Sequence, residues 1–113
     1  MMRRFCFTLD LKNDPALIAE YKKHHEKVWP EIAETYRQCG IESMELYLLE
    51  TRMFMIMEVS ERFTFEAKAH ADRTNPRLQE WEHLMERFQQ VPAGCHDGEK
   101  WKRMERIFTL QNA

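Results

Sequence analysis

The sequence predicts a single α+β domain over residues 1–113, in which an antiparallel sheet carries helices on one face. Two strand-like segments stand side by side in the middle of the chain, with only a tight connection between them. Apolar residues recur at helical spacing before and after this pair, and they alternate as in a strand near both ends of the chain. With 113 residues and 43% hydrophobic content, the chain can bury one core but not two.

The first strand and the first helical region are predicted over residues 3–40. Residues 3–11 alternate apolar with more polar positions, the period of a half-buried strand. A helix should then run from Pro15 to about Lys27, because Asn-Asp before proline is typical of a helix start. The residue before a proline resists the α conformation, so Trp29-Pro30 should interrupt the helix, and a second helical segment should close at Gly40.

The middle of the chain predicts a β-hairpin. Residues 44–50 and 53–59 are two strand-like segments, MELYLLE and MFMIMEV, joined by Thr51-Arg52. This spacing suits a tight turn, so the two strands should pair antiparallel.

The last third of the chain predicts a second broken helix and a closing strand. The helical pattern from Phe65 to Gln90 is interrupted at Asn75-Pro76, as the first was at its own proline. A loop containing Pro92, Gly94 and Gly98 follows, and residues 101–108 then alternate as in a strand.

The resulting order, βαββαβ, is that of a ferredoxin-like sheet with its helices on one face. The other face of such a sheet must be polar or covered by a partner, and here the central strands look apolar on both faces. We therefore expect a sheet-to-sheet homodimer, a dimeric α/β barrel. The residues behind this expectation are Met44, Leu46, Leu48, Phe54 and Ile56 alongside Met53, Met55, Met57 and Val59.

The overall charge argues against nucleic acid or an anionic membrane as a partner. Lys and Arg number 17 and Asp and Glu number 19, for a formal charge of −2. The alternating N-terminal stretch is broken by Asp10 and Lys12, so it resembles neither a signal peptide nor a membrane span. We expect a cytoplasmic protein.

The cysteines and histidines do not form a metal or disulfide pattern. Cys6, Cys39 and Cys95 are odd in number and lack CxxC spacing, so reduced thiols are expected. The five histidines never form an HxH or HxxxH pair within one element, so no metal is expected.

The densest group of reactive side chains lies around Tyr21 and His25, which are four residues apart and share a helical face. A histidine among aromatic residues can exchange a proton near neutral pH, while the aromatics, including Trp29, supply an apolar wall for a sugar. On helical spacing alone, a histidine at such a position is more often a core or interface residue with its ring nitrogens satisfied.

Two further residues have both a functional and a structural interpretation. Glu58 ends an apolar strand and could hold a histidine or a substrate hydroxyl, or it could pair with Arg103 or Arg4 at the sheet's end. Trp81 shares a helical face with other apolar residues, so core packing is its default, but it could also stack on a sugar.

Residues 21–31, read YKKHHEKVWPE, resemble the L-rhamnose mutarotase family, whose members carry a Tyr-x-x-x-His-x-x-x-Trp-Pro-Glu pattern after an N-terminal strand. The resemblance covers nearly the whole chain, including the Gly40 turn, the strand that bears Glu58, the Trp81 helix and the closing strand through Phe108.

This resemblance implies a cofactor-free enzyme that interconverts the α and β anomers of a monosaccharide, a 6-deoxy-L-hexose, by general acid–base catalysis. It implies that His25 is the proton donor and that Tyr21 binds the sugar. Further substrate-binding candidates are Trp29, Met44, Tyr47, Glu58, Trp81 and Glu82.

Two positions depart from the family pattern. Met44 stands where members often have a tyrosine, and Glu82 stands where they have the second of two adjacent tryptophans. These changes remove one hydrogen-bond donor and add an acceptor, so they favour a different stereoisomer, L-fucose rather than L-rhamnose. From another functional class, the same architecture would suit a dimeric ligand-binding module or a small cofactor-free monooxygenase.

Overall fold

The computed structural model describes residues 2–90 and 100–110. In chain order its elements are β1 (Arg3–Leu11), α1 (Pro15–Glu26), α2 (Pro30–Gln38), β2 (Ile41–Leu49), β3 (Arg52–Val59), α3 (Phe65–Thr74), α4 (Pro76–Glu86), β4 (Gln89–Gln90) and β5 (Lys102–Met104).

The strands form one antiparallel sheet in the order β2-β3-β1, and both β4 and β5 pair with the other side of β1. The register between β1 and β3 runs from Arg3 opposite Val59 to Asp10 opposite Arg52. This confirms the predicted ferredoxin-like order, with β4 and β5 in the place of one last strand. β2 is an edge strand, since no described strand pairs with its outer side.

The helices pack on the sheet face that carries the odd-numbered residues of β1 and β3. Helical and strand side chains meet there because the period of two sends alternate residues to the same face. Among the described residues they form two buried clusters, a smaller one of Ile41, Met57, Val59 and Phe63 and a larger one of Leu9, Leu11, Tyr21, Ile32, Met53, Leu78, Trp81, Met85 and Phe88.

The opposite face, called the free face below, is less uniformly apolar than predicted. The register places Met44, Leu46 and Leu48 opposite Met57, Met55 and Met53, so all six belong to the helix-covered face. β3 is apolar on both faces, as expected, through Phe54 and Ile56. On the free face β2 instead presents Ser43, Glu45, Tyr47 and Leu49.

Both predicted helix breaks occur, and each has a local cause. Trp29 is extended, with φ −55° and ψ 130°, directly before the proline that opens α2. Asn75 is extended before Pro76, and its side chain accepts hydrogen bonds from the backbone N–H groups of Arg77 and Leu78 at 3.0 and 3.1 Å.

The boundaries around the hairpin differ from the prediction by one to three residues. β2 begins at Ile41, because Gly40 takes a φ of +96° that ends α2 sharply and starts the strand at once. The turn is Glu50-Thr51, one residue earlier than predicted, with Glu50 at φ 56°.

The C-terminal part of the prediction is wrong in two places. The second helical region stops at Glu86, and the Phe88 carbonyl accepts a hydrogen bond from Lys12 N–H, so the chain joins the sheet at Gln89 instead of staying helical. The closing strand covers only Lys102–Met104, whereas alternation predicted 101–108. Alternation of apolar and polar residues indicates which face of the sheet each residue occupies. It does not indicate over how many residues a neighbouring strand is available for pairing. The predicted loop at 92–98 lies outside the described residues.

Candidate active site

A cavity of about 620 Å³ lies between the helix-covered face of the sheet and the helices. Its apolar wall is formed mainly by side chains of the sheet together with two phenylalanines at and just before the start of α3: Phe7, Met44, Met55, Met57, Phe63 and Phe65. Charged and hydroxyl groups come largely from the helices and from the segment just before β5: Tyr36, Lys68, Asp72, Glu82, Glu86 and Lys100. A cavity of this size with one apolar and one polar wall suits a small amphipathic molecule.

Two ion pairs line the polar wall. Lys68 Nζ donates to Asp72 Oδ1 at 2.7 Å, one helical turn along α3. Lys100 Nζ lies 2.7 Å from Glu82 Oε2. Burial raises the pKa of the Asp72 carboxyl even though the Lys68 ammonium opposes this. Both pairs offer donors and acceptors to hydroxyl groups in the cavity.

Tyr36 brings a phenol to the same wall. Burial, reinforced by the negative charges of Glu82 and Asp72, raises the pKa of Tyr36 well above its usual value. The phenol is therefore protonated at neutral pH and can donate a hydrogen bond. Lys68 Nζ lies 5.5 Å from the centre of the Tyr36 ring, a cation–π contact.

His25 lies beside this cavity in an aromatic cluster at the end of α1. Its ring centre is 4.5 Å from that of Tyr21 and 5.6 Å from that of Trp81, which in turn contacts Trp29 edge-on at 5.1 Å. The guanidinium of Arg77 lies over the ring of Trp29, 3.7 Å from the ring centre. The cluster holds the imidazole between two aromatic rings and joins α1 to α4.

The hydrogen bonding of His25 determines which of its nitrogens can react. Nδ1 lies 2.9 Å from the backbone carbonyl oxygen of Tyr21, and a carbonyl only accepts, so Nδ1 carries the proton. Nε2 then keeps its lone pair. Burial lowers the pKa of His25 from 6.5, with a smaller contribution from His24, so the ring is neutral at pH 7 and suited to accept a proton at Nε2.

Tyr21 is held by a residue that the sequence analysis missed. Gln89 Nε2 donates to the Tyr21 hydroxyl oxygen at 3.2 Å, and both side chains are buried. Burial raises the pKa of Tyr21 to about 12 despite this hydrogen bond, and the charge of Glu82 adds to the rise. The Tyr21 hydroxyl therefore remains protonated and can act as a donor.

The predicted site residues fall into three groups. Tyr21, His25, Trp29 and Trp81 come together in the aromatic cluster. Met44 and Glu82 line the cavity, and Glu82 follows Trp81 directly in α4, so the cluster and the cavity are adjacent. None of the four residues of the aromatic cluster is among those that line the cavity.

Tyr47 and Glu58 are not brought to the cavity. Both lie on the free face, where Tyr47 pairs with Phe54 and is 52% exposed. Glu58 Oε1 lies 3.9 Å from Arg4 Nη2, so of the two interpretations the structure contains the ion pair at the sheet's end. A one-residue change of position along a strand moves a side chain to the other face, which is why strand residues were harder to assign than helical ones.

Several cavity residues were missed for identifiable reasons. The four-residue spacing of Lys68 and Asp72 is a visible ion-pair signal, but such pairs are usually solvent-exposed. Tyr36 fits the apolar spacing of its helical segment, which predicts burial but not contact with a ligand. Lys100 stands in a polar segment, and nothing in its neighbourhood distinguishes it from a surface lysine.

The described part of the chain contains neither a metal-ligand cluster nor a membrane-spanning helix. Within residues 2–90 and 100–110, no group of three His, Cys, Asp or Glu side chains is placed to bind a metal ion. Among the described helices, none has the length and apolar character needed to cross a bilayer.

The fold and site together define a small ferredoxin-like α+β protein with an amphipathic cavity beside a neutral histidine. The chain belongs to the L-rhamnose mutarotase family, whose profile matches residues 4–110. It is 44% identical to an L-fucose mutarotase from Xanthomonas campestris, over 99% of this chain and 91% of that protein.

Two solved structures share the fold. A crystal structure of an L-rhamnose mutarotase from Formosa agariphila superposes with a TM-score of 0.70 at 18% identity, covering 96% of this chain and 98% of that one. Tetracenomycin F2 cyclase from Streptomyces glaucescens, a type-II polyketide cyclase, gives 0.62 at 14% identity, with 95% of both chains covered. The same architecture thus occurs with different chemistry.

Proposed function

We propose that this protein is a mutarotase that interconverts the anomers of a 6-deoxy-L-hexose, with L-fucose preferred to L-rhamnose. The observation that carries the proposal is the 44% identity to an L-fucose mutarotase along 99% of the chain. The cavity supports it independently, because a 6-deoxyhexose has one methyl group for the methionine-rich wall and several hydroxyls for the charged wall.

The reaction requires one group that removes the proton of the anomeric hydroxyl and one that protonates the ring oxygen. The C1–O5 bond then breaks, the aldehyde rotates, and the reverse steps close the ring with the opposite configuration. Positioned acid and base groups contribute roughly 10²–10⁴-fold each.

We assign the base to His25 Nε2. The neutral Nδ1–H tautomer and the lowered pKa favour an acceptor at neutral pH. Once it holds the proton, the imidazolium is the donor when the ring recloses, so one group serves in both directions, consistent with the proton-donor role that the resemblance implies. The Tyr21 hydroxyl, which stays protonated, is the second candidate donor. The proposal requires the anomeric carbon to lie at the α1–α4 end of the cavity.

Trp29 and Trp81 would form the aromatic wall next to the anomeric centre, and Met44 and Glu82 would contact the rest of the sugar. Tyr47 and Glu58 lie on the free face of their own subunit, so we assign them to a subunit interface rather than to sugar binding. The substrate-binding residues that we propose are therefore fewer than those expected from the sequence.

We further propose a homodimer formed by the free faces of two sheets. Tyr47 and Leu49, 52% and 75% exposed, lie there with Met104, 45% exposed. Exposed apolar side chains on a sheet face that also carries Phe54 and Ile56 favour burial against a second copy. A cytoplasmic location is supported by Cys6 and Cys39, which are both free thiols.

The experiment is saturation-transfer NMR of anomeric exchange with L-fucose and L-rhamnose. Wild-type protein should accelerate exchange, and His25→Ala should lose the acceleration by at least roughly 10²-fold. His24→Ala is the matched control, because His24 lies next to His25 but packs its ring on Phe88, 5.5 Å away, and should keep the rate. No acceleration of either sugar by wild type would reject the proposal and leave a binding module as the better account.

A further inference from the structure

We propose that Lys100 and Glu82 act together as a specificity clamp, a donor–acceptor pair that holds one hydroxyl of the sugar and thereby selects the stereoisomer. The inference rests on the proposed function. It assigns a role to Lys100, which no sequence pattern indicated, and explains why a carboxylate occupies position 82.

Lys100 is unusual in being a buried lysine. Its side chain is only 8% exposed, and Nζ lies 2.7 Å from Glu82 Oε2 and 3.8 Å from Glu86 Oε1. An ammonium group has three N–H donors, and Lys100 Nζ finds no hydrogen bond of good geometry among the described residues. At least one N–H is thus available to a ligand in the cavity that the residue lines.

Burial of the Lys100 ammonium is not explained by stability. Taking a charge out of water costs several kcal/mol in real proteins, and apolar replacements of buried ion pairs are often neutral or stabilising. Glu82 is 30% exposed, so this cost falls mainly on Lys100, which is 8% exposed. In the Lys68–Asp72 pair the side chains are 21% and 22% exposed, and in Arg77–Glu80 they are 43% and 61% exposed. A buried ammonium with a spare donor at a cavity wall fits ligand recognition better than scaffolding.

The pair matches a sugar hydroxyl chemically. A hydroxyl donates one hydrogen bond and accepts two, so it can donate to a carboxylate and accept from an ammonium at the same time. A hydroxyl of the opposite configuration would miss both groups and forfeit these two hydrogen bonds. Sites built in this way discriminate by loss of the hydrogen bonds, not by loss of shape fit.

The hydroxyls that distinguish candidate sugars are few. L-Fucose and L-rhamnose are both 6-deoxy-L-hexoses that differ only in configuration at C2 and C4, while the reacting C1 and O5 are the same. A clamp that reads C2 or C4 therefore changes substrate preference without changing the chemistry that His25 performs.

The test compares four 6-deoxy-L-hexoses, with galacto, manno, gluco and talo configurations, which represent every combination at C2 and C4. Exchange rates are measured by saturation-transfer NMR for wild type, Lys100→Met and Glu82→Gln. The second variant is nearly isosteric, so it keeps the test informative if Lys100→Met does not fold. Lys12→Met, at an exposed position in the loop after β1, is the matched control.

The wild-type exchange rate should differ by about 10- to 100-fold between two sugars that are epimers at C2 or at C4. This is the ratio expected when a charge-assisted hydrogen bond is lost. Both variants should reduce that ratio to within about threefold, and Lys12→Met should leave it unchanged. Equal wild-type rates for all four sugars, or an unchanged ratio of rates between epimers in Glu82→Gln, would overturn the specificity clamp but would leave the proposed mutarotase activity supported. Absence of exchange with every sugar would instead reject the proposed function, and the clamp with it.

Discussion

The hydrogen bond between Tyr21 and Gln89 permits a quantitative test of how the site is held together. Tyr21→Phe removes only the hydroxyl, which accepts from Gln89 Nε2 at 3.2 Å. Gln89 is 3% exposed and its Oε1 already lacks a partner among the described residues, so the substitution leaves the whole amide unpaired. A buried polar group without a partner costs about 1–3 kcal/mol, and we expect this loss in the free energy of unfolding.

The interaction is isolated by a double-mutant cycle of Tyr21→Phe, Gln89→Leu and the double variant. Replacing both partners by apolar groups of similar shape removes the unpaired amide, so the double variant should be more stable than the sum of the single losses predicts. The expected coupling is about 1 kcal/mol or more. Urea unfolding is followed by circular dichroism at one protein concentration, because association would make stability concentration-dependent.

The control for the cycle is Gln38→Leu, since this exposed amide donates to Glu34 Oε1 at 3.4 Å and its loss should change stability by less than about 0.5 kcal/mol. Additive losses in the cycle, within about 0.3 kcal/mol, would refute the reasoning, because they would mean that the two buried groups do not depend on each other. In the exchange assay, Tyr21→Phe should also slow turnover roughly 10²-fold if its hydroxyl donates the proton.

Three further predictions concern acidity, conformation and assembly. Because burial lowers the pKa of His25, kcat/KM should be constant above pH 7 and should fall about tenfold per pH unit below that lowered pKa, once uncatalysed exchange is subtracted. A decline of kcat/KM that begins above pH 7 would contradict the assignment of His25 as the base. Gly40→Ala should destabilise by about 1–3 kcal/mol in urea, because φ is +96° and the added Cβ would lie 3.0 Å from Ser60 Oγ; an unchanged midpoint would show that the turn relaxes. Leu49→Glu on the free face should halve the mass measured by light scattering, whereas Leu110→Glu, equally exposed near the C-terminus, should not.

Local signals in the sequence were sufficient for most of the fold. The breaks before Pro30 and Pro76 and the extent of β1 follow from backbone sterics and alternation, which act within a few residues. The end of α4 and the length of β5 depend on where β1 offers pairing, so they required the assembled sheet.

The site was predictable only in part for the same reason. His25 and Tyr21 share a helical face, and their proximity follows from a spacing of four. The contacts of Gln89 with Tyr21 and of Lys100 with Glu82 span 68 and 18 positions, and no periodicity links them. Tyr47 lies across the sheet from the cavity, because alternate residues of a strand point to opposite faces.

The edge strand β2 also bears on how the protein behaves in concentrated solution. β2 is nine residues long, and no described strand pairs with the backbone N–H and C=O groups on its outer side. An extended segment of another chain could therefore add to this edge, which is the usual route to ordered aggregates. Glu42, Glu45 and Glu50 place three like charges along and just beyond this strand, so two copies approaching edge to edge repel each other. Acidification, or replacement of these glutamates during engineering for crystallisation or storage, would remove the repulsion and favour fibrous precipitation over the proposed sheet-to-sheet dimer.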